Sequence, residues 1–309
     1  MAGMKLVTAL VATLVIAAGS TGAAAGISIL FIGNSFLFGS GSAVRFYRSA
    51  TVTDLNGEGI GGVPALFKSF TRQAGLDYEV ALETRGGSGL DFHLANKLEV
   101  IGKRGWDTVV MHGFSLLDAD KPRDPGKLLM TTRQMAEALR GKNPNVTIYT
   151  MATWARADHV YPEKGAWHGQ PVDVMARDIR AAYDQAAGPA GVKAVIPVGE
   201  AWTRAFQAGV ADPNPYDGIE AGKVNLWTYD SYHASTAGYY LEALVIFGSV
   251  TGKDPRSLGD AECSGFELGL SRMEVGALQQ VAFDQLGGSV TAAPKVTAKP
   301  TPAVRCAAQ

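Results

Sequence analysis

Short hydrophobic runs alternate with helix-like segments along most of the chain. The first run, residues 27–32, is apolar at nearly every position, which is typical of a strand buried on both faces of a parallel sheet. Four later runs are similarly rich in apolar and β-branched residues. The predicted strands are residues 27–32, 78–82, 108–111, 146–151 and 192–197.

Helix-like segments follow these strands. Residues 64–74 begin with Pro64, which suits the first turn of a helix, and they end at Gly75. The other predicted helices are residues 90–101, 127–139, 172–187, 201–208, 237–250 and 273–286. Strands that alternate with helices form right-handed βαβ units. The sequence therefore predicts one α/β domain, a three-layer αβα sandwich around a mostly parallel, five-stranded sheet.

The predicted domain occupies residues 26–286. Within it, residues 39–62 are polar and rich in glycine, and we interpret them as an insertion containing one hairpin. Residues 287–309 are rich in Ala, Pro, Thr and Lys, which predicts a flexible C-terminal tail.

The N-terminus has the pattern of a secretory signal. Lys5 precedes the apolar run 6–18, and small residues follow up to Ala25. The run is too short to span a bilayer of about 30 Å comfortably. We therefore predict a signal peptide at residues 1–25, cleavage after Ala25, export to the periplasm or beyond the cell, and no membrane span after processing.

Composition and cysteine usage narrow the function classes. The 309 residues carry a net charge of -1, which argues against nucleic acid as a partner because phosphate binding requires a clustered Lys and Arg surplus. Cys263 and Cys306 are the only cysteines, and their separation leaves both a disulfide and a free tail thiol open. Neither has metal-ligand spacing, so no metal or cofactor is expected.

Candidate chemistry lies where the predicted strands end, since ligands of open parallel sheets bind at the carboxyl ends of the strands. Ser35 follows the first strand, and Asp230 and His233 share a later loop. A serine hydroxyl needs a base and a group that orients the base. We predict Ser35 as nucleophile, His233 as base and Asp230 as its orienting carboxylate, with the N–H groups of Ser35 and Gly89 binding the oxyanion.

These residues carry a family resemblance. Gly33-Asn34-Ser35-Phe36 resembles the first block of the SGNH (GDSL-like) hydrolases, with Asn in place of their Asp. Ser88-Gly89 resembles their second block, whose Gly donates to the oxyanion, and Asp230-Ser231-Tyr232-His233 matches their final Asp-x-x-His block. The resemblance spans residues 27 to about 250 and implies a flavodoxin-like SGNH hydrolase fold.

The third block of that family, Gly-x-Asn-Asp, is absent. The third strand is followed by His112-Gly113-Phe114-Ser115, so the Asn that supplies a third oxyanion donor is missing. A ring nitrogen of His112 and the hydroxyl of Ser115 are the candidate substitutes. The sequence thus resembles a divergent group within the family.

The predicted activity is hydrolysis of an ester of a carbohydrate or another small polar substrate. Trp154 and Tyr232 flank the predicted site and are the candidate substrate contacts. An O-acyltransferase that uses the same three side chains and a non-catalytic glycan-binding protein remain open as alternatives. The sequence gives no prediction of the oligomeric state.

Overall fold

The computed structural model describes residues 26–287, together with Met1, Gly3 and Cys306. The predicted signal peptide, with its cleavage position after Ala25, and most of the predicted tail lie outside the described residues.

Six strands form one sheet in which every pair of neighbours is parallel. The strands are β1 (Ile27–Gly33), β2 (Thr53–Asp54), β3 (Tyr78–Thr84), β4 (Thr108–Met111), β5 (Thr147–Ala152) and β6 (Ala194–Pro197). Their spatial order is β2-β3-β1-β4-β5-β6. Without β2, this is the 2-1-3-4-5 order of flavodoxin-like sheets. The predicted α/β architecture is therefore confirmed.

The number of strands is a correction, because the sheet has six strands and five were predicted. The additional strand, β2, consists of two residues at the edge of the sheet, and Thr53 and Asp54 pair with Ala81 and Leu82 of β3. Two residues are too few to show strand periodicity in a sequence. The insertion otherwise contains two short 3₁₀ helices, Ala43–Phe46 and Ser49–Thr51, instead of the predicted hairpin.

Eleven α-helices surround the sheet in the described part of the chain. They are α1 (Ser35–Phe38), α2 (Gly62–Gln73), α3 (Leu90–Asn96), α4 (Leu98–Ile101), α5 (Gly126–Arg140), α6 (Ala157–Val160), α7 (Val172–Ala190), α8 (Val198–Gln207), α9 (Thr236–Thr251), α10 (Cys263–Glu267) and α11 (Arg272–Leu286). The helix predicted at residues 90–101 is thus two helices, separated at Lys97.

The core lies on both faces of the sheet, and β1 shows how the sequence produces it. Alternate side chains of a strand point to opposite faces. Ile29 and Phe31 pack into the cluster formed with α2, α8, α9 and α11, whereas Leu30 and Ile32 pack toward α3 and α5. All four side chains are fully buried. This burial on both faces explains why the run is apolar at consecutive positions.

Cys263 and Cys306 form a disulfide, with their Cα atoms 5.3 Å apart. The structure thereby decides between the two alternatives that the sequence left open. Arg48 Nη2 donates a hydrogen bond of 3.0 Å to the Cys306 carbonyl oxygen and forms an ion pair with Glu267. The disulfide therefore fastens Cys306 to α10, and the Arg48 hydrogen bond links it to the insertion.

We find no helix among the described residues that is both long enough and apolar enough to cross a lipid bilayer.

Candidate active site

Ser35 is the first residue of α1, directly after β1. Asn34 caps this helix, since its Oδ1 accepts a hydrogen bond of 3.1 Å from the Phe36 N–H. The first N–H groups of a helix have no acceptor within it. Accordingly, neither the Ser35 N–H nor the Ser35 hydroxyl forms a hydrogen bond with any described residue. Both groups are available to a substrate, although Ser35 as a whole is only 5% exposed.

Asp230 and His233 form the pair that the sequence predicted. Asp230 Oδ2 lies 2.6 Å from His233 Nδ1, and Asp230 Oδ1 accepts from the N–H groups of Tyr232 and His233 at 3.0 and 2.9 Å. Partial burial raises the pKa of Asp230, but the hydrogen bonds from the His233 side chain and these two N–H groups outweigh it and lower the pKa overall. An ionised Asp230 keeps the imidazole proton on Nδ1, so Nε2 is free to act as a base.

The loop of His233 lies against the start of α1. The ring centroid of Phe36 is 6.0 Å from that of His233, and the Tyr239 hydroxyl of α9 donates to the Ser35 carbonyl oxygen at 3.2 Å. The structure thus brings all three predicted residues to one edge of the sheet. It joins Asp230 to His233 by a hydrogen bond and does not join His233 to Ser35 by one. In unliganded active sites such contacts are often long and shorten when substrate binds.

Gly89 caps α3, and its N–H makes no hydrogen bond to a described residue. A Cβ at this position would lie 2.8 Å from Asp91 Oδ1 and 3.3 Å from the Phe114 nitrogen. A larger residue at this position would therefore require Asp91 and the backbone of Phe114 to shift. The Ser35 and Gly89 N–H groups are therefore both unoccupied donors.

His112 is not the missing third oxyanion donor, because both of its ring nitrogens have other partners. Nδ1 donates to the Gly113 carbonyl oxygen at 2.9 Å, and Nε2 accepts from the Asn34 N–H at 3.3 Å. The ring is fully buried, and this burial lowers the pKa of His112 to about 4, so the ring is neutral at pH 7. Of the two candidates, Ser115 alone keeps a proton to donate. Its buried hydroxyl accepts from Arg156 Nη1 at 3.3 Å.

Asn34 has a role that the sequence did not reveal. Its Nδ2 donates to the Ser88 carbonyl oxygen at 2.8 Å and to the Gly113 carbonyl oxygen at 3.3 Å. A carboxylate has no proton to donate, so an Asp in this position would face two carbonyl oxygens without a hydrogen bond. Asn34 thus connects the ends of β1, β3 and β4. The signal in the sequence was the Asn itself, at the one position where the first block departs from the family pattern.

The two predicted substrate contacts differ in their accessibility. Trp154 is fully buried between the rings of Phe36 and Trp202, with centroid distances of 3.9 and 4.8 Å. The prediction that Trp154 contacts substrate is therefore wrong, because a side chain stacked on both faces within the core has no free surface. Trp154 Nε1 donates to the Tyr232 carbonyl oxygen at 3.2 Å and so supports the loop of His233.

Tyr232 is partly exposed, and its ring packs under the guanidinium of Arg156 at 3.5 Å. Arg156 also forms a two-point ion pair with Asp158. The substrate-binding role of Tyr232 remains a prediction, and the structure adds that Arg156 fixes its ring.

A second group of serine, histidine and carboxylate lies beside the first. His93 Nδ1 contacts Glu83 Oε2, and His93 Nε2 lies 3.4 Å from the Ser88 hydroxyl. Both Glu83 and His93 are fully buried. We call Ser35, Asp230 and His233 the rim cluster, and Glu83, Ser88 and His93 the buried cluster. No motif in the sequence predicts the buried cluster, because its members come from a strand, a loop and a helix.

No three His, Cys, Asp or Glu side chains within residues 26–287 come together as a metal site would require.

The chain resembles known proteins in its fold. No protein-family model matches the chain, and no curated protein matches it. Among solved structures, a DUF4886 family protein from Bacteroides uniformis is similar at 17% identity, over 84% of this chain and 95% of that one, with a TM-score of 0.57.

Two further similar structures are described as putative hydrolases. The SGNH hydrolase from Slackia heliotrinireducens is 23% identical over 73% of this chain and 99% of that one, with a TM-score of 0.50. The GDSL-like lipase from Parabacteroides merdae is 15% identical over 74% of this chain and 96% of that one, with a TM-score of 0.51. The chain therefore has the fold of the SGNH hydrolases, carried by a strongly divergent sequence.

Proposed function

We propose that the chain is an exported serine esterase that hydrolyses an ester of a carbohydrate or another small polar substrate. The observation that carries the proposal is the Asp230–His233 hydrogen bond of 2.6 Å, at the same edge of the sheet as the uncommitted hydroxyl of Ser35. The similar structures named as a hydrolase and a lipase support this reaction class at a coarse level.

In the proposed reaction, the Ser35 oxygen attacks the carbonyl carbon of the ester while His233 Nε2 takes the hydroxyl proton. The tetrahedral intermediate then breaks its bond to the alcohol oxygen, and His233 returns the proton to the departing alcohol. A water molecule attacks the acyl-Ser35 by the same proton path, which releases the acid and restores the serine. Asp230 remains ionised throughout and stabilises the imidazolium.

The negative charge of the intermediate falls on the former carbonyl oxygen. In this proposal the N–H groups of Ser35 and Gly89 bind it, and their lack of another partner among the described residues supports this assignment. We assign the Ser115 hydroxyl as the third donor. An oxyanion donor contributes a factor of about 10²–10³ in rate, so a site with two donors remains active.

The test is the turnover of p-nitrophenyl acetate by the wild type, by Ser35→Ala and by the matched variant Ser88→Ala. We expect Ser35→Ala to abolish turnover and Ser88→Ala to retain most of it. Equal rates in the wild type and Ser35→Ala would remove Ser35 from the mechanism. Product analysis with a sugar acceptor distinguishes the acyltransferase alternative, because transfer yields an acylated sugar in place of free acid.

Export is tested separately from chemistry. The N-terminal sequence of protein recovered outside the cytoplasm is expected to begin at Gly26. A sequence that begins at Met1 would contradict cleavage after Ala25.

A further inference from the structure

Two arginines near α1 and α3, Arg45 and Arg85, form no hydrogen bond or ion pair with any residue that the structure describes. Most arginines in residues 26–287 donate a hydrogen bond to another described residue, commonly a carboxylate. The exceptions are Arg45, Arg72 and Arg85, for which neither a hydrogen bond nor an ion pair is present among these residues. Arg72 is on the surface near the end of α2, whereas Arg45 packs on Phe38 at the end of α1 and Arg85 on Phe92 of α3.

Arg45 is held between two aromatic rings of the insertion and α1. Its guanidinium carbon lies 5.0 Å from the ring centroid of Phe38 and 5.3 Å from that of Phe46. Its Nε is buried without a hydrogen-bond partner. Phe38 ends the helix that Ser35 begins, and residues three apart share one face of a helix. The guanidinium therefore packs against the helix that begins with Ser35.

Arg85 lies in a loop that also approaches Phe38. It follows β3 directly, in the exposed loop that leads to Gly89, and its guanidinium carbon lies 5.8 Å from the Phe92 ring. The next residue, Gly86, lies so close to Phe38 that a Cβ would be 3.5 Å from the ring. Phe38, in the helix that Ser35 begins, is thus a neighbour both of the Arg45 guanidinium and of the loop that carries Arg85.

The positive charge of Arg45 and Arg85 is a local feature, since the chain as a whole has a net charge of -1. The third arginine at this edge, Arg156, is already neutralised by Asp158 at 2.6 Å. A buried donor without a partner is costly, and a guanidinium matches a carboxylate with two parallel hydrogen bonds. A ligand carboxylate would supply the partner that Arg45 lacks.

We propose that the substrate is an acidic ester, in which a carboxylate next to the ester group binds Arg45, with Arg85 adding attraction from the loop. This inference rests on the proposed esterase function. It identifies the substrate class as acylated hydroxy acids, such as acylated acidic sugars, and assigns Arg45 as the residue that selects them.

The test compares two aryl acetates that differ only in charge, 3-acetoxybenzoate and 3-acetoxybenzamide. We expect a lower KM for the benzoate in the wild type. Arg45→Gln should raise that KM about tenfold or more, since a charge-assisted hydrogen bond is lost, and should change the KM for the benzamide much less. Arg85→Gln should act in the same direction with a smaller effect, because its charge is solvent-exposed. Arg72→Gln is the matched control and should change neither substrate.

Equal KM values for the two esters in the wild type, or equal losses for both in Arg45→Gln, would overturn the proposal while leaving the esterase function intact. Absence of turnover for both esters would count against the esterase function instead. In that case, calorimetric titration of the Ser35→Ala protein with each ester decides the matter. Tighter binding of the benzoate that Arg45→Gln abolishes supports the acidic ligand, and equal binding rejects it.

Discussion

The rim cluster and the buried cluster contain the same kinds of side chain and differ in what surrounds them. In the buried cluster the Ser88 hydroxyl donates to the Arg85 carbonyl oxygen at 2.8 Å, and His93 is inaccessible to solvent. In the rim cluster the Ser35 hydroxyl has no protein partner among the described residues, and His233 is partly exposed. A serine whose proton is already committed, beside a histidine that no substrate can approach, is a poor nucleophile.

Groups without a hydrogen-bond partner within the protein thus distinguish a reactive site from a structural one. The rim cluster adjoins two free N–H donors, at Ser35 and Gly89. Glu83 of the buried cluster instead accepts from Asn56 Nδ2 at 3.1 Å and faces Lys97 at 3.9 Å, so its charge is satisfied within the protein. We interpret the buried cluster as the connection that holds β3, the loop containing Gly89 and α3 together.

The largest effect is expected from removing the Ser35 hydroxyl, with Ser88 as the matched comparison. Ser35→Ala should lower kcat/KM for p-nitrophenyl acetate by about 10⁴-fold or more, because the covalent step is lost. Ser88→Ala should lower it less than about fivefold, since its hydroxyl holds only the Arg85 carbonyl oxygen and the His93 ring. Steady-state kinetics measures both. A larger loss in Ser88→Ala would reverse the assignment of the two clusters.

The second largest effect is expected from a substitution of Asp230, the carboxylate that orients His233. Asp230→Asn should lower kcat by about 10³–10⁴-fold, because the amide favours the wrong imidazole tautomer. It should change the melting temperature little, since Asp230 is partly exposed. The exposed Asp184→Asn serves as control. Full activity in Asp230→Asn would exclude a role for this carboxylate in orienting His233.

A substitution in the buried cluster should lower the stability of the folded protein. Glu83→Gln leaves His93 without its charged partner, and breaking a buried pair costs about 3–5 kcal/mol of unfolding free energy. For a domain of this size that corresponds to a fall of roughly 10 °C in melting temperature. The exposed Glu99→Gln should show no change. Scanning calorimetry measures the difference, and an unchanged melting temperature in Glu83→Gln would contradict the structural role.

The pH dependence of stability tests the histidine between the clusters. The pKa of His112 is about 4 in the folded chain, against its ordinary value of 6.5. Below pH 6.5 the unfolded chain binds a proton that the folded chain does not, so stability falls from pH 6.5 toward pH 4. His112→Gln keeps an acceptor for the Asn34 N–H and should remove about 2–3 kcal/mol of this loss between pH 7 and 4.5.

Urea unfolding at the two pH values measures this loss. The exposed His168→Gln is the control and should retain the wild-type dependence on pH. An identical loss in the wild type and in His112→Gln would show that His112 does not titrate as its burial implies.

The sequence correctly predicted structural features that depend on residues close together along the chain. The core strands were predicted because burial on both faces makes them continuously apolar, as in β1. The Asp230–His233 pair was predicted because the two residues lie three apart on one loop. Both features follow from local order along the chain.

Features that depend on contacts between residues far apart in the sequence were not predicted or were predicted wrongly. β2 exists only through pairing with β3, and Glu83 meets His93 only because α3 folds back onto the end of β3. Trp154 follows a strand as a substrate contact would, yet Phe36 and Trp202 cover both of its faces. Such side-chain partners come from separate segments, and no spacing in the sequence brings them together.

The assignment of Ser35 as nucleophile is tested by reaction of the protein with a fluorophosphonate. This reagent forms an oxygen–phosphorus bond to an activated serine and releases fluoride. Peptide mapping by mass spectrometry identifies the modified residue. We expect modification of Ser35 in the wild type and none in Ser35→Ala. Modification of Ser88 instead of Ser35, or of no serine at all, would contradict it.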